Sequence, residues 1–233
     1  MKILLYCITI LGLLINNTYA LELKIKEEIP EKFILYNAVV GNNEALDKKV
    51  ISKEFKQKCK ESKVKQCKLA IYNTDKILVA FGEERTNKNV KTVPLEIVED
   101  SLKIKEYTSY LESLLAYETT PKEIYQMYDD NEVVADEDLR GKNLLLADVI
   151  IKEVAKDAFN QPYISVSVDK HGYNSVIIKL NSKDPFLRKV KKGSKVYVLA
   201  TPERFVIHNV QMKGKIFMFD KYILINGMAV DVK

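Results

Sequence analysis

The chain has no tryptophan, two histidines, three cysteines, eight glycines and six prolines among its 233 residues. Each scarcity removes a class of function. His171 and His208 have no Cys or His neighbour at ligand spacing, so no His-rich metal motif is present. No Gly-rich phosphate loop and no Gly-x-Ser-x-Gly elbow occurs. Asp136, Glu137 and Asp138 are consecutive, and consecutive helical residues diverge, so they make a poor acid–base pair. These absences point away from an enzyme, a cofactor and a metal centre. There is also no internal repeat and no low-complexity tract. The net charge of +5 is too mild to demand a polyanionic partner.

What is present is a globular composition, 47% hydrophobic and 30% charged. Residues 1–20 differ from the rest. Lys2 is followed by the apolar run Ile3–Ile15, and Thr18, Tyr19 and Ala20 form a small-x-small cleavage pattern. The run is about 13 residues, short of the roughly 20 that a spanning helix needs. The expectation is an export signal cut after Ala20, a periplasmic or secreted protein, and no membrane span after cleavage. Cys7 lies inside the apolar run and too near the start for a lipoprotein signal. Cleavage leaves Cys59 and Cys67, an even count that favours a disulfide in an oxidising compartment; the alternative is two buried thiols.

The expected plan is α+β: an N-terminal mixed α/β domain (21–100), a linker helix (101–119) and a helix-capped five-stranded β-barrel (120–233). Phe33–Val40 is an apolar run suited to a central strand. Ile51, Phe55 and Cys59 share one face of a helix over Asp47–Lys60, which aims Cys59 toward the strand that Cys67 begins. The lysines of Lys48–Lys68 read as its solvated face rather than a nucleic-acid or membrane patch, with Phe55 its only aromatic residue. Lys68–Tyr72 and Ile77–Phe81 flank a polar four-residue turn and predict a hairpin. Val90–Val98 reads as an edge strand because Pro94 lies within it. Ile104, Tyr107, Leu111 and Leu114 predict the linker helix.

Thr120, Pro121 and Glu123 form a capping box with proline at the first helical position. One helix is expected from there to Gly141, with Ile124, Tyr128, Asn131 and Ala135 on a single face. Strands follow at Asn143–Val154 (with a bend), Tyr163–Val168, Tyr173–Leu180, Lys195–Ala200 and Phe205–Met212, with an extension over Lys215–Ile225 and a basic segment, Asp184–Lys192, between the third and fourth. Five strands in that order are the OB plan. An OB ligand lies across strands 2 and 3 and the loops after strands 1 and 4. The candidate binding residues are therefore Lys156, Phe159, Tyr163, His171, Tyr173, Arg204 and Phe205, with Arg188, Lys189 and Lys192 as nearby charge. Residues 121–233 hold 18 Lys and Arg against 15 Asp and Glu, which does not force a nucleic-acid reading.

The motif Tyr128, Asn131, Ala135, Leu139, Gly141, Lys142 resembles that of the bacterial tRNA-anticodon-like OB-fold family of exported and lipoprotein-like proteins. Lys192, Gly193, Ser194, Lys195 and Val196 resemble that family's turn before the fourth strand. The resemblance covers about residues 120–226. The chain departs from it around Tyr222–Leu224, where members often carry a cysteine, and in having no lipobox. The resemblance implies a structural role for Tyr128, Asn131 and Ala135, as the helix face that plugs the barrel. The expected function is that of an exported, non-enzymatic binding or interaction module of the bacterial envelope, its partner an envelope protein or small ligand. A single-stranded nucleic-acid binder and an oligosaccharide or cell-wall binder are the alternatives.

Overall fold

The computed structural model describes residues 21–42, 44–86, 93–97, 115–169, 171–184, 186–206, 209–218, 222–225 and 228–231. The expected export signal, residues 101–114 of the expected linker helix and His208 lie outside them; Tyr117–Thr119, at the end of that expected helix, form a strand instead.

Two large sheets, a two-stranded hairpin and three helices make up the described α+β architecture. The first sheet has the order β1-β2-β3-β4-β5, from Lys24–Ile29, Phe33–Val40, Gln66–Asn73, Leu78–Arg85 and Val93–Ile97. The apolar β2 is internal, as its composition requires, and Pro94 falls on the edge strand β5. β2 and β3 are parallel, and helix α1 (Lys48–Ser62) makes the crossover between them. Asp47 caps α1, its side chain accepting from the N–H groups of Lys49 and Val50 at 2.9 and 3.1 Å. Ile51, Phe55 and Cys59 are the buried residues of α1, and Cys59 is joined to Cys67 with Cα atoms 5.7 Å apart. The β3–β4 hairpin turns through Asn73, whose side-chain oxygen accepts from the N–H groups of Asp75 and Ile77.

The second sheet runs β6-β7-β11-β12-β10-β9-β8. Its strands are β6 (Tyr117–Thr119), β7 (Leu144–Ile150), β8 (Glu153–Lys156), β9 (Pro162–Ser167), β10 (Ser175–Leu180), β11 (Lys195–Val206) and β12 (Asn209–Met218). The ladder runs open rather than closing as a hydrogen-bonded ring, so the expected five-stranded barrel is seen as a seven-stranded sheet. The long first strand of the sequence reading is two strands, β7 and β8, at opposite ends of the main body of the sheet. They meet at a bend where the N–H of Ile151 donates to Ser194 and the N–H of Lys152 donates to Ser165. β10 and β12 pair in parallel over six residues, and the other β8–β12 ladders are antiparallel. The expected fourth strand runs on through Phe205 and Val206, the residues expected to begin the fifth, and the fifth spans Asn209–Met218 instead; a bulge at Pro202–Arg204 carries β11 past the proline. A separate hairpin pairs β13 (Tyr222–Ile225) with β14 (Met228–Asp231).

The single helix expected before the barrel is two helices, α2 (Pro121–Asp130) and α3 (Glu132–Leu139). The capping box of Thr120 and Glu123 is formed. The break falls at Asn131, whose backbone is extended and whose side chain accepts from the N–H of Val134 at 3.2 Å. Asparagine offers the chain a local cap in place of the next helical bond, which the 3–4 spacing of apolar residues could not reveal. Tyr128 and Ala135 are buried as expected; Asn131 is exposed and acts as a cap.

One core joins the inner face of the second sheet, helices α2 and α3, and Ile29, Phe33, Leu35 and Phe81 of the first sheet. Residues alternate in β2: Phe33 and Leu35 face this core, whereas Ile34, Tyr36 and Ala38 pack on α1. A buried polar seam also ties the sheets. The Lys68 ammonium donates to the Ala116 carbonyl at 2.7 Å, and the N–H of Glu118 donates to Gln66 at 3.0 Å. Arg85 bridges Glu83 and Glu118 at 2.5 and 2.6 Å.

Candidate ligand-binding face

Burial alternates most clearly along β10, and this separates an inner apolar face of the second sheet from an outer, more polar one. Val176, Ile178 and Leu180 of β10 are buried, whereas Ile177 and Lys179 are partly exposed. The strand registers then set outer residues side by side. One row runs Ala155, Tyr163, Lys179, Lys213 and Thr201 across β8, β9, β10, β12 and β11. The next runs Glu153, Ser165, Ile177, Gln211 and Arg204, and a third runs Ser167, Ser175, Asn209 and Val206.

Charge on this face is arranged around half-buried Glu203, which sits in the β11 bulge. Its carboxylate meets Lys213 at 2.5 Å and Lys179 at 3.6 Å. Burial pushes this carboxyl up, but the hydrogen bond and charge of Lys213 and the charge of Lys179 outweigh it and hold the group below the usual carboxylate range. Arg204 donates to Gln211 at 2.9 Å, which holds the guanidinium along the middle row. Beside the first row lies a cleft of about 390 Å³ lined by Asn160, Gln161, Asn181, Ser182, Lys179 and Lys213. Its wall is fixed by buried Asp184, which accepts from the N–H of Ile216 at 2.9 Å and so ties the segment after β10 to β12.

The structure divides the candidate residues of the sequence reading. Tyr163 and Arg204 lie on the outer face. Lys156 ends β8, and Phe159 stands 86% exposed at the tip of the β8–β9 turn. His171 and Tyr173 lie in the β9–β10 loop, at the other end of β9 from Tyr163, with their rings 6.3 Å apart and Tyr173 81% exposed. That loop is tied by Asp169, whose carboxylate accepts from the N–H groups of Gly172 and Asn174. Arg188, Lys189 and Lys192 are exposed on the segment after β10, where the Lys189 ammonium sits 5.7 Å from the Phe186 ring. Phe205 turns inward, stacked on Tyr128 at 5.7 Å and edge-on to Tyr125 at 6.0 Å. Phe205 thus helps hold helix α2 against the sheet. Lys179, Gln211, Lys213 and Glu203 were missed. The alternation Ser-Val-Ile-Ile-Lys-Leu over 175–180 already puts Lys179 opposite the buried positions. Lys213 and Glu203 needed the β10–β12 register and the bulge.

A family model described as tRNA_anti-like matches residues 32–216. The chain belongs to this family. The match takes in the first sheet from near the start of β2 as well as nearly all of the second, whereas the resemblance visible in the sequence began near residue 120. Neither the curated proteins nor the solved structures yielded a match. Among the described residues, no group of His, Cys, Asp and Glu could hold a metal, and no helix is long and apolar enough to cross a membrane.

Proposed function

We propose that this tRNA_anti-like protein is an exported, non-enzymatic binding module of the bacterial envelope whose second sheet is an OB-type barrel. The ligand lies across the outer face of β9, β10, β12 and β11. The barrel reading rests on the bend at Ile151 and Lys152, where one strand turns from pairing with β11 to pairing with β9, and on the parallel β10–β12 pair. Export is supported by the leader pattern of residues 1–20 and by the Cys59–Cys67 bridge, which suits an oxidising compartment.

The observation that carries the binding reading is the row Tyr163, Lys179, Lys213, with the cleft beside it. A ring, two ammonium groups and a border of amides and hydroxyls suit a polar chain molecule laid across the strands. Single-stranded nucleic acid is the second reading, favoured by Tyr163 lying next to two lysines, because such ligands are held by stacking and phosphate neutralisation. An oligosaccharide is the third, favoured by the uncharged, partly exposed Asn209 and Gln211.

The test is fluorescence anisotropy with a labelled oligothymidylate and with a labelled peptidoglycan fragment, each at several salt concentrations. Binding that Tyr163→Ala weakens about tenfold supports the face, one stacked ring contributing about 1–3 kcal/mol. A steep salt dependence selects nucleic acid and a flat one selects the oligosaccharide. Binding indifferent to Tyr163→Ala and Lys213→Ala would overturn the assignment of the face.

A further inference from the structure

The elbow between α2 and α3 forms a second concave surface, distant in character from the ligand face. A cleft of about 330 Å³ opens between this elbow and the β1–β2 turn, with Pro30, Met127, Val134 and Ala135 as its apolar lining and three carboxylates, Glu31, Asp130 and Asp138, against one cation, Lys32, at its rim. Val133 and Val134 are 68% and 48% exposed beside it. An apolar floor inside an acidic rim fits a basic surface that carries an apolar residue.

The same chain presents such a surface. Lys49, Lys53 and Lys60 lie at helical spacing along α1, away from its buried residues Ile51, Phe55 and Cys59, with Lys56 between them paired to Glu84 at 3.6 Å. Val50, next to Lys49, is 46% exposed. Helix α1 packs on one side of the first sheet, and the elbow belongs to the core on the other side. The sheet therefore stands between them, and one copy cannot close its own lysine stripe onto its own acidic elbow.

We propose that a second copy of this chain occupies the cleft, its α1 lysine stripe laid on the acidic rim and Val50 over the apolar floor. Such a contact joins two different surfaces, so it propagates head to tail into a ring or a short filament. Its electrostatic part is carried by exposed charges and weakens with salt.

Sedimentation velocity on the purified protein at about 0.05 and about 0.5 M salt tests this. The expected result is a weight-average mass above that of one copy at low salt, falling toward one copy at high salt. Two charge reversals sharpen the test. Asp130→Lys with Asp138→Lys, and separately Lys53→Glu with Lys60→Glu, are each expected to be monomeric. Mixed together, the two variants are expected to regain the wild-type mass, because every contact is again between opposite charges. Regained assembly also shows that both variants are folded. A wild-type monomer at low salt, or association that survives either reversal, overturns the proposal. The readout is mass, so it stands or falls independently of the ligand face.

Discussion

Two side chains, Tyr128 of α2 and Glu203 of β11, carry consequences that can be read directly. Tyr128 is buried against Phe205, and its hydroxyl meets no hydrogen-bond partner among the described residues. Burial pushes its pKa up to about 12. In the unfolded chain a tyrosine ionises near 10. Between about pH 10 and 12 the unfolded state therefore loses a proton that the folded state keeps, and this contribution to stability is lost as pH rises through that window. Below it the contribution is constant. Tyr128→Phe is expected to remove this alkaline slope. It should cost nothing at neutral pH and stabilise by up to about 1 kcal/mol, because an unpaired buried hydroxyl is removed. Denaturant titrations at pH 7 and pH 11 check both parts. Glu203 acts on function instead. It neutralises Lys179 and Lys213, so Glu203→Gln is expected to strengthen oligothymidylate binding and steepen its log–log salt slope by about 0.7 for each cation released. An unchanged slope would show that neither lysine meets phosphate.

At the scale of elements, the sequence made most of the scaffold legible. The apolar β2, the α1 face of Ile51, Phe55 and Cys59, the Thr120 capping box and the edge position of Pro94 all follow from local pattern. The elbow at Asn131 and the bulge at Pro202–Arg204 do not, because a side-chain cap and a register shift interrupt periodicity without changing it. The candidate site was legible in part for the same reason. Tyr163 lies on the outer face by alternation, whereas Phe205 lies past the bulge and turns inward. Two elements invite measurement. The Cys59–Cys67 bridge closes a short loop between α1 and β3, and Cys59→Ala with Cys67→Ala is expected to lower stability by about 2–3 kcal/mol. Gly214 lies on β12 between Leu180 of β10 and Ala200 of β11. A Cβ there would come within 2.7 Å of the Ile178 side chain and 3.0 Å of the Leu199 carbonyl oxygen. Gly214→Ala is expected to cost about 1–3 kcal/mol by overpacking, with the loss visible as a lower urea midpoint.

At the scale of the molecule, the first and second sheets share an apolar core and a buried polar seam through Lys68, Gln66, Glu83, Arg85 and Glu118. Burial lowers the pKa of Lys68, and the carboxylates of Glu83 and Glu118 work against that shift. Removing one member would leave buried polar groups unpaired, so Glu118→Ala is expected to destabilise both sheets together rather than to release one. Far-ultraviolet circular dichroism and tyrosine fluorescence should then report one coincident thermal transition for the wild type and for the variant. Two separated transitions would mean that the halves fold apart. The seam was invisible in the sequence, because charged residues at strand positions read as surface until a partner sheet covers them.

The ligand face is tested by the salt-dependent anisotropy titration of residues 21–233 against labelled oligothymidylate and a labelled peptidoglycan fragment. It should be run beside Tyr163→Ala, Lys213→Ala and, as a control away from the face, Tyr173→Ala. The account expects one of the two probes to bind, with the Tyr163 and Lys213 variants weakened about tenfold and the Tyr173 variant unchanged. Binding that depends on Tyr173 and ignores Tyr163 and Lys213 would contradict it and move the site to the β9–β10 loop.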